Sequence, residues 1–463
     1  MSALWSPQAL LAATGGLLRA PFAATGVSID TRTLRPGDLF VALLGEHGDG
    51  HAHVAAALAK GAAGAMVHRL PEGVADDAKL LQVADTLEGL RALAAFARAR
   101  FAGRLVAVTG SVGKTTTKEM LRRICTAHGK TWAAEASHNN QWGLPLTLAR
   151  LPAHAAFCIA EIGMNHAGET APLAALARPH VAVITAIAPA HVGNLGSIEA
   201  IADEKAMVLT GLEREGVAVL PADTPLLDRL FARVGDAGVI LFGEAATATV
   251  RLLAAQADAE GTDIAARVDG QEVALRIAAP GRHMAMNALA ALAAAHALGL
   301  PAESAAAVLA GFAPGAGRGA RRTVPLAGGT ALLLDESYNA SPVAVRAALR
   351  VLALPPATRR VVVLGDMLEL GAHGPAEHAA LAPDVAAVAD LLFTCGPLMR
   401  GLFEAVPAAL RGAHAADSQA LAPLVAAALR SGDAVLVKGS LGSRMKTIVQ
   451  AIEPAETPAA EAR

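Results

Sequence analysis

Residues 106–120 read VAVTGSVGKTTTKEM, and the reading of this stretch decides the fold. An apolar β-type run, a glycine turn and then Gly113-Lys114-Thr115 before helix-forming residues is the layout of a phosphate-binding loop. Backbone N–H groups of such a turn, together with the positive end of the following helix, cradle the phosphates of a nucleotide. Lys114 supplies a point charge, and a threonine hydroxyl reaches the Mg²⁺. The usual spacing sets four residues between the first glycine and the Gly-Lys pair. Here only Ser111 and Val112 separate Gly110 from Gly113. The loop is short, and the group that receives the phosphate has to be sought elsewhere in the chain.

Outward from the loop, short β-branched runs alternate with helical stretches up to about residue 312: LVAVTG, AFCIAEIG, VAVITAI, GVAVLPA and GVILFG. Such alternation predicts a parallel, helix-covered sheet. Before it, LFVALLG, a GEHGDGHAH loop, an alanine-rich helix and AGAMVHRL outline a small α/β unit, and LEGLRALAAFARARF reads as a helix leading to the loop strand. After it, the Gly/Pro cluster GFAPGAGRG reads as a linker. Alternation then resumes with TALLLDESYN, RRVVVLGDM, LLFTCG and AVLVKGS. An α/β protein of three domains is expected, at 1–85, 86–312 and 313–463, which fits 463 residues at about 150 per domain. The tail EPAETPAAEAR is expected to be disordered.

Composition narrows the class. At 54% hydrophobic and 17% charged residues the chain can bury large cores, and with only 3% aromatics those cores must be built from Ala, Val and Leu. A net charge of −2 argues against a nucleic-acid binder, which needs a concentrated basic surface. The three cysteines form no CxxC pair, so a reducing cytoplasm is expected. No Lys or Arg precedes the uncharged N-terminal stretch, unlike a secretory signal. HMAMNALAALAAAHALGLPA is long enough to span a bilayer, but its His, Asn, Gly and Pro favour a buried helix. No membrane span is expected.

Further residues fall at strand ends of the predicted central sheet. Glu161 ends AFCIAE, where a carboxylate can reach a phosphate-bound Mg²⁺, because open α/β sheets bind ligands at the carboxyl ends of their strands. His191, in AIAPAHVGNLGS, shares that edge, although a lone histidine is more often structural. On spacing alone Lys205 reads as a helix-surface lysine. Asn287 reads as a polar residue inside a helix that needs a partner, for which an adenine edge would serve. DESYNASP holds the only tyrosine, Tyr338, flanked by Asp335 and Asn339, and on its own reads as a strand-to-helix turn. LGDMLELG and VKGSLGSRMK read the same way.

Taken together and in order, TGSVGKTTT, HNNQWGLPLTLARL, EIGMNHAGE, APAHVGNLGS, GRHMAMNALAA, DESYNASP, LGDMLELG and VKGSLGSRM resemble segments of the Mur ligases. These are ATP-dependent amide-forming enzymes of bacterial cell-wall precursor synthesis, and the short loop is similar to theirs. The resemblance covers nearly the whole chain. It implies a small UDP-binding N-terminal domain, a central ATPase domain and a C-terminal Rossmann-like domain. It also implies that ATP phosphorylates the terminal carboxylate of a UDP-N-acetylmuramoyl-tripeptide. The amine of D-alanyl-D-alanine then displaces phosphate through a tetrahedral intermediate. The acceptor of the phosphate is thus a carboxylate.

The resemblance also implies roles. Lys114, Glu161, His191, Lys205 and Asp335 form the catalytic set. ATP contacts fall to Thr109, Gly110, Ser111, Val112, Gly113, Lys114, Thr115, Thr116, Asn287, Arg318, Tyr338 and Asn339. Two Mg²⁺ ions would be held through Thr115 or Thr116, Glu161, His191 and Lys205, the last as a CO₂-derived carbamate. SIDTRTLRPGDLFVALLGEHGDGHAH resembles the UDP-binding segment, with Ser28, Thr31, Arg32, Asp49, Gly50 and His51, and Asn139 and Asn140 complete the substrate contacts. A cytoplasmic monomer that closes around its substrates is expected. Met207, Ser341 and Leu441 depart from the family pattern, where an acidic residue, Asn and Arg are usual. The rival readings are a sibling ligase adding one amino acid, a folate-type polyglutamate ligase, and a nucleotide-dependent switch module.

Overall fold

The run Arg104–Thr109 (β1) is apolar on both faces, and five of its six side chains are buried, as a strand covered by helices on both sides requires. The computed structural model describes residues 3–45, 48–75, 77–134, 137–190, 192–326 and 328–453. In it β1 lies in a nine-stranded sheet between Phe157–Glu161 (β2) and Val181–Ile184 (β3), parallel to both. Thr131–Ala133 adds an edge beyond β2. Val217–Pro221 and Gly238–Gly243 extend the sheet beyond β3 in the same direction. Register pairs Val108 with Glu161 and Thr109 with Ile184, so three strands end at one level. The chain leaves β1 toward one side and returns to the other, and such a switch point is where open α/β sheets bind ligands.

The expected parallel alternation holds up to residue 243 and then changes. Val250–Ala257, Thr262–Val268 and Gln271–Ile277 follow as further strands, and the last two are antiparallel. Asp269 (φ 46°) and Gly270 (φ 86°) turn between Val268 and its partner Gln271. That geometry is the two-residue hairpin with both central residues left-handed.

Arg282–Ala297, here α3, carries the alanine-rich stretch, and residues 288–295 are all buried in the core of this sheet. A helix apolar on every face belongs inside a protein. No helix among the described residues is long and apolar enough to cross a membrane. The helix after the loop, Lys114–His128 (α1), packs beside α3 through Met120, Leu121 and Ile124, burial worth roughly 1.5–3 kcal/mol per side chain.

A five-stranded sheet precedes this body, with Gly26–Ser28, Asp38–Val41, Gly64–Val67 and Leu80–Gln82 parallel and Leu17–Leu18 antiparallel at its edge. The helix Thr86–Arg100, capped by the Asp85 carboxylate, joins the two bodies. Its Leu90 and Leu93 pack with the first sheet, while Ala94 packs with the second.

The third body is a six-stranded sheet in which Gly329–Glu336 (β4), Asp433–Lys438 (β6) and Arg359–Gly365 (β5) are parallel neighbours. Its outer strand, Ala320–Leu326, runs antiparallel to β4. Glu336 pairs with Lys438, so the loops after β4, β5 and β6 rise from one edge and face the loops of the nine-stranded sheet. Pro342–Leu352 (α4) begins at that edge. Residues 454–463, the tail expected to be disordered, lie outside the described residues.

Candidate active site

Two glycines shape the phosphate loop. Gly110 (φ 143°) and Gly113 (φ 83°) hold backbone angles that side-chain-bearing residues rarely adopt. A Cβ on Gly113 would lie 2.2 Å from Asn287 Oδ1, so the loop is pressed against α3. Ser111 locks the loop to the chain after β3. Its N–H donates to Ala186 O (2.8 Å) and its hydroxyl to Ala188 O (2.9 Å). Thr185 Oγ1 donates to Val112 O at 2.6 Å. Thr109 is buried, with its hydroxyl unbonded among the described residues. Lys114 Nζ curls back to Gly110 O at 2.7 Å. Burial lowers its pKa, the Glu161 charge opposes that, and Arg318 reinforces it.

Beside the loop, Glu161 is a buried acceptor with both oxygens engaged. Thr115 Oγ1 donates to Oε2 at 2.8 Å, and Asn139 Nδ2 donates to Oε1 at 2.8 Å. Thr116 is half-buried on the same rim. Among the described residues no three His, Cys, Asp or Glu side chains gather into a metal cluster. The hydroxyl and carboxylate pair of Thr115 and Glu161 is a hard-oxygen set, the kind Mg²⁺ uses when substrate phosphates and water complete its shell.

Lys205, on the helix Ile198–Ala206 (α2), is not the surface lysine that spacing suggests. It is 1% exposed, with no hydrogen-bond or ion-pair partner among the described residues. Its neighbour Glu204 accepts from Gly168 N (2.9 Å) and Thr170 N (2.8 Å), and its charge acts on Lys205 without a hydrogen bond to it. Burial, and then the Lys114 charge, push the Lys205 ammonium well below the usual lysine range. A neutral amine is the form that reacts with CO₂. His191 lies outside the described residues.

The third body closes the other side of a cavity of about 480 Å³ lined by Lys114, Thr115, Glu161 and Asn287 as well as Tyr338, Asn339, Glu369 and Lys438. Arg318 stacks 3.9 Å over the Tyr338 ring and donates to Ser137 Oγ at 2.7 Å, tying linker, third sheet and phosphate-loop side together. Lys438 is buried between Glu336 Oε2 (2.9 Å) and Asn339 O (2.9 Å).

Asp335, expected in the catalytic set, is taken up by contacts to its own body and the linker. Its carboxylate accepts from Gly317 N (2.9 Å), Arg322 (2.9 Å), Ser337 N (3.1 Å) and Ser337 Oγ (2.6 Å). It holds the linker, is itself buried and does not line the cavity. Glu336, the next residue, does line it, and with Lys438 and Glu369 is a site residue the sequence reading did not select.

The expected substrate contacts divide. Asn139 belongs to the Glu161 cluster, whereas Asn140 Oδ1 accepts from Gly143 N (2.9 Å) and starts a helix. In the first body Ser28 is buried on its own turn, accepting from Asp30 N at 3.3 Å and donating to Asp30 O at 3.0 Å. Arg32 is exposed and bonded to Asp30, and Thr31 O accepts from Lys60 Nζ at 3.0 Å. The His51 ring is saturated, with Nδ1 against Asp49 Oδ1 (2.7 Å) and Nε2 accepting from His68 N (3.1 Å). Burial lowers its pKa, so it stands neutral and shapes the loop. Gly50 leaves no room for a Cβ, which would meet Leu43 N at 2.8 Å. None of these six residues lines the cavity.

Comparison with known proteins bears on this arrangement. Residues 23–98 match the Mur ligase family catalytic domain, 108–295 the Mur ligase middle domain and 321–441 the Mur ligase glutamate ligase domain. A UDP-N-acetylmuramoyl-tripeptide–D-alanyl-D-alanine ligase of Escherichia coli K12 is 34% identical, over 95% of this chain and 96% of its own. The protein of that name from Synechocystis is also 34% identical, over 89% and 88%. Among solved structures, MurF from Acinetobacter baumannii superposes with a TM-score of 0.85 at 29% identity, covering 97% and 98% of the two chains. MurF ligase from Thermotoga maritima in complex with ADP gives a TM-score of 0.78 at 25% identity, over 92% and 96%.

Proposed function

The chain belongs to the Mur ligase family and is an ATP-dependent ligase; on that premise we propose that it joins D-alanyl-D-alanine to UDP-N-acetylmuramoyl-tripeptide, making the pentapeptide precursor of peptidoglycan. The observation that carries the reading is the single cavity in which the phosphate loop and the Thr115–Glu161–Asn139 cluster face Tyr338, Asn339 and Lys438 of another body. Relatives that carry this name over nine-tenths of both chains support it.

The terminal carboxylate of the tripeptide attacks the γ-phosphorus of ATP, ADP leaves, and an acyl phosphate forms. The amine then attacks the acyl carbon, loses a proton, and inorganic phosphate departs. Little of this chemistry needs a protein nucleophile; it needs alignment of two polyanions and neutralisation of their charge. Lys114 and the loop N–H groups hold the phosphates. Asn287, pressed against the loop at Gly113, would take the adenine edge, and Arg318, stacked on Tyr338, the nucleotide phosphates or ribose. Thr115, Glu161 and His191 would hold Mg²⁺, which when bound supplies charge for the phosphoryl group. Lys205, buried and without a hydrogen-bond or ion-pair partner among the described residues, fits a carbamate made from its neutral amine and CO₂ with loss of a proton. We propose three working units at 1–85, 86–312 and 313–463, the first taking the UDP end through the segment at Ser28–Arg32 and Asp49–His51, and a cytoplasmic monomer.

Phosphate release by the purified protein tests the reading. Release that requires ATP, Mg²⁺, UDP-MurNAc-tripeptide and D-alanyl-D-alanine together, with a product heavier by one dipeptide, is the expected result. Use of a single amino acid in place of the dipeptide would move the chain to a sibling activity.

A further inference from the structure

Where the chain leaves β4 and enters α4, three hydrogen-bond donors lie together without acceptors. Ser341 takes the N-cap place of α4, with the extended backbone (φ −148°, ψ 161°) of a capping residue. A capping serine turns its oxygen onto the N–H two or three residues ahead, and here no such bond forms. Ser341 is 8% exposed, and its buried hydroxyl has no hydrogen-bond partner among the described residues. Pro342 follows and has no N–H to offer. The N–H groups of Val343 and Ala344 belong to the first turn, where the helix itself provides no acceptor. The described residues supply none from outside it. Only at Val345 does the helical pattern begin, with its N–H donating to Ser341 O at 2.9 Å.

Ser341, Val343 and Ala344 all line the cavity. α4 is eleven residues long, and its dipole adds positive charge at this end. Backbone N–H groups and a hydroxyl converging at a helix N-terminus suit an anion. The nearest charges leave the place open, because Glu336 is neutralised by Lys438 at 2.9 Å and Lys438 is held in turn by Asn339 O. The ligase reading brings three kinds of anion into the cavity. The nucleotide phosphates have the phosphate loop on the other body, and the tripeptide carboxylate has to meet the γ-phosphate there. The carboxylate of the incoming amine substrate is left to be seated.

From this seat the wall continues along one helical face. Ala340 lies just before α4, and Val343, Ala344 and Ala347 follow at the i+3, i+4 and i+7 places, all lining the cavity. The face is apolar and three of its four side chains are single methyl groups, which leaves room for a ligand with small side chains of its own. We propose that Ser341 Oγ and the N–H groups of Val343 and Ala344 bind the carboxylate of D-alanyl-D-alanine, with its alanyl methyl groups against the Ala340–Ala347 face. The assignment deepens the ligase reading and rests on it. Ser341 is then a positioning residue that anchors the dipeptide on the third body and leaves its amine free to reach the acyl phosphate.

The test compares wild type, Ser341→Ala and Ser341→Thr in steady-state kinetics with D-alanyl-D-alanine and with D-alanyl-D-alaninamide, whose carboxylate is replaced by a neutral group. Each substrate is varied in turn, and thermal melting accompanies every variant. In wild type the amide is expected to show a KM about tenfold to a hundredfold above that of the acid, as for lost hydrogen bonds to a charged group. Ser341→Ala raises KM for the acid by about tenfold and leaves that of the amide within twofold, so the gap narrows. Ser341→Thr recovers part of it. KM for ATP and for the UDP-linked tripeptide stays within twofold. The melting temperature holds, because the hydroxyl makes no capping bond to lose. An acid-to-amide gap that is the same in Ser341→Ala as in wild type, or a rise in KM for ATP in its place, overturns the assignment. If the protein consumes a different amine, the dipeptide reading fails. That amine and its carboxamide, run through the same variants, then decide the seat, and an amine lacking a carboxylate overturns it.

Discussion

Gly193 and Gly371 meet backbone to backbone between the nine-stranded body and the third body. A Cβ on Gly193 would lie 2.3 Å from Gly371 N, and one on Gly371 would lie 2.7 Å from Gly193 Cα. Val192 packs into the core of the third body beside this contact. Gly193→Ala is therefore expected to hold the bodies apart. Overpacking of this kind costs about 1–3 kcal/mol, and charged against closure it lowers kcat by roughly tenfold to a hundredfold. ADP binding to the phosphate loop persists, and small-angle scattering reports a more open particle with ADP bound.

Thr115→Val removes the hydroxyl that donates to Glu161 while keeping the side-chain volume. Loss of one charge-stabilising contact in such a site costs about 10²–10³ in rate. Turnover should fall by that order and the Mg²⁺ dependence should shift to higher concentration, both measurable by phosphate release.

Lys205 sets function against stability. Its folded pKa lies below its unfolded value, so over the window between them the unfolded chain binds the extra proton and stability rises with pH. Lys205→Met removes that penalty. It is expected to raise stability near neutral pH by about 0.5–2 kcal/mol, a gain that shrinks as the pH approaches the ordinary lysine range. The same change abolishes ligation, and in Lys205→Ala short-chain carboxylic acids restore part of it. Urea melts at several pH values and phosphate release check the two halves separately.

Asp335→Ala leaves Gly317 N, Ser337 and Arg322 without their acceptor. Breaking a buried, charged network costs about 3–5 kcal/mol. The melting temperature should drop accordingly. A variant that melts normally but fails to turn over would instead give Asp335 a direct part in the reaction.

Much of this was legible in the chain because the physics is local. A glycine turn between a strand and a helix forces the phosphate loop, and strand-end positions placed Glu161 beside it. The antiparallel strands after residue 250 were not read: LLAAQADAE holds no β-branched or aromatic residue to announce a strand, and TDIAARV spaces Thr262, Ile264 and Val268 among alanine, aspartate and arginine. The Asp269-Gly270 pair was the available signal. Asp335 and Glu336 show a different limit. Adjacent acidic residues on a strand face opposite sides, and only the packed sheet decides which one meets the cavity. Likewise Lys205 is carried on α2 at a spacing that says surface, and burial is a fact of the neighbouring elements. His51, expected as a substrate contact, lies in the 3-10 turn Gly50–His53 with both ring nitrogens taken up by Asp49 and His68, which spacing does not show.

Asp335 also fixes where the molecule can bend. Gly317 donates to its carboxylate, Gly319 donates to its carbonyl at 2.9 Å, and Tyr338 N donates to Gly317 O at 3.1 Å. The end of the linker is thus stitched to the third body, and the pivot must lie before Gly317. Arg318, although it precedes the first strand of that body, rides on the swinging arm with Tyr338. If the Arg318–Tyr338 pair clamps the nucleotide as proposed, arm and clamp would move as one lever, and lifting it would withdraw the pair in the same stroke that parts Gly371 from Gly193. On that reading the release of ADP and of the finished product would be coupled to one motion.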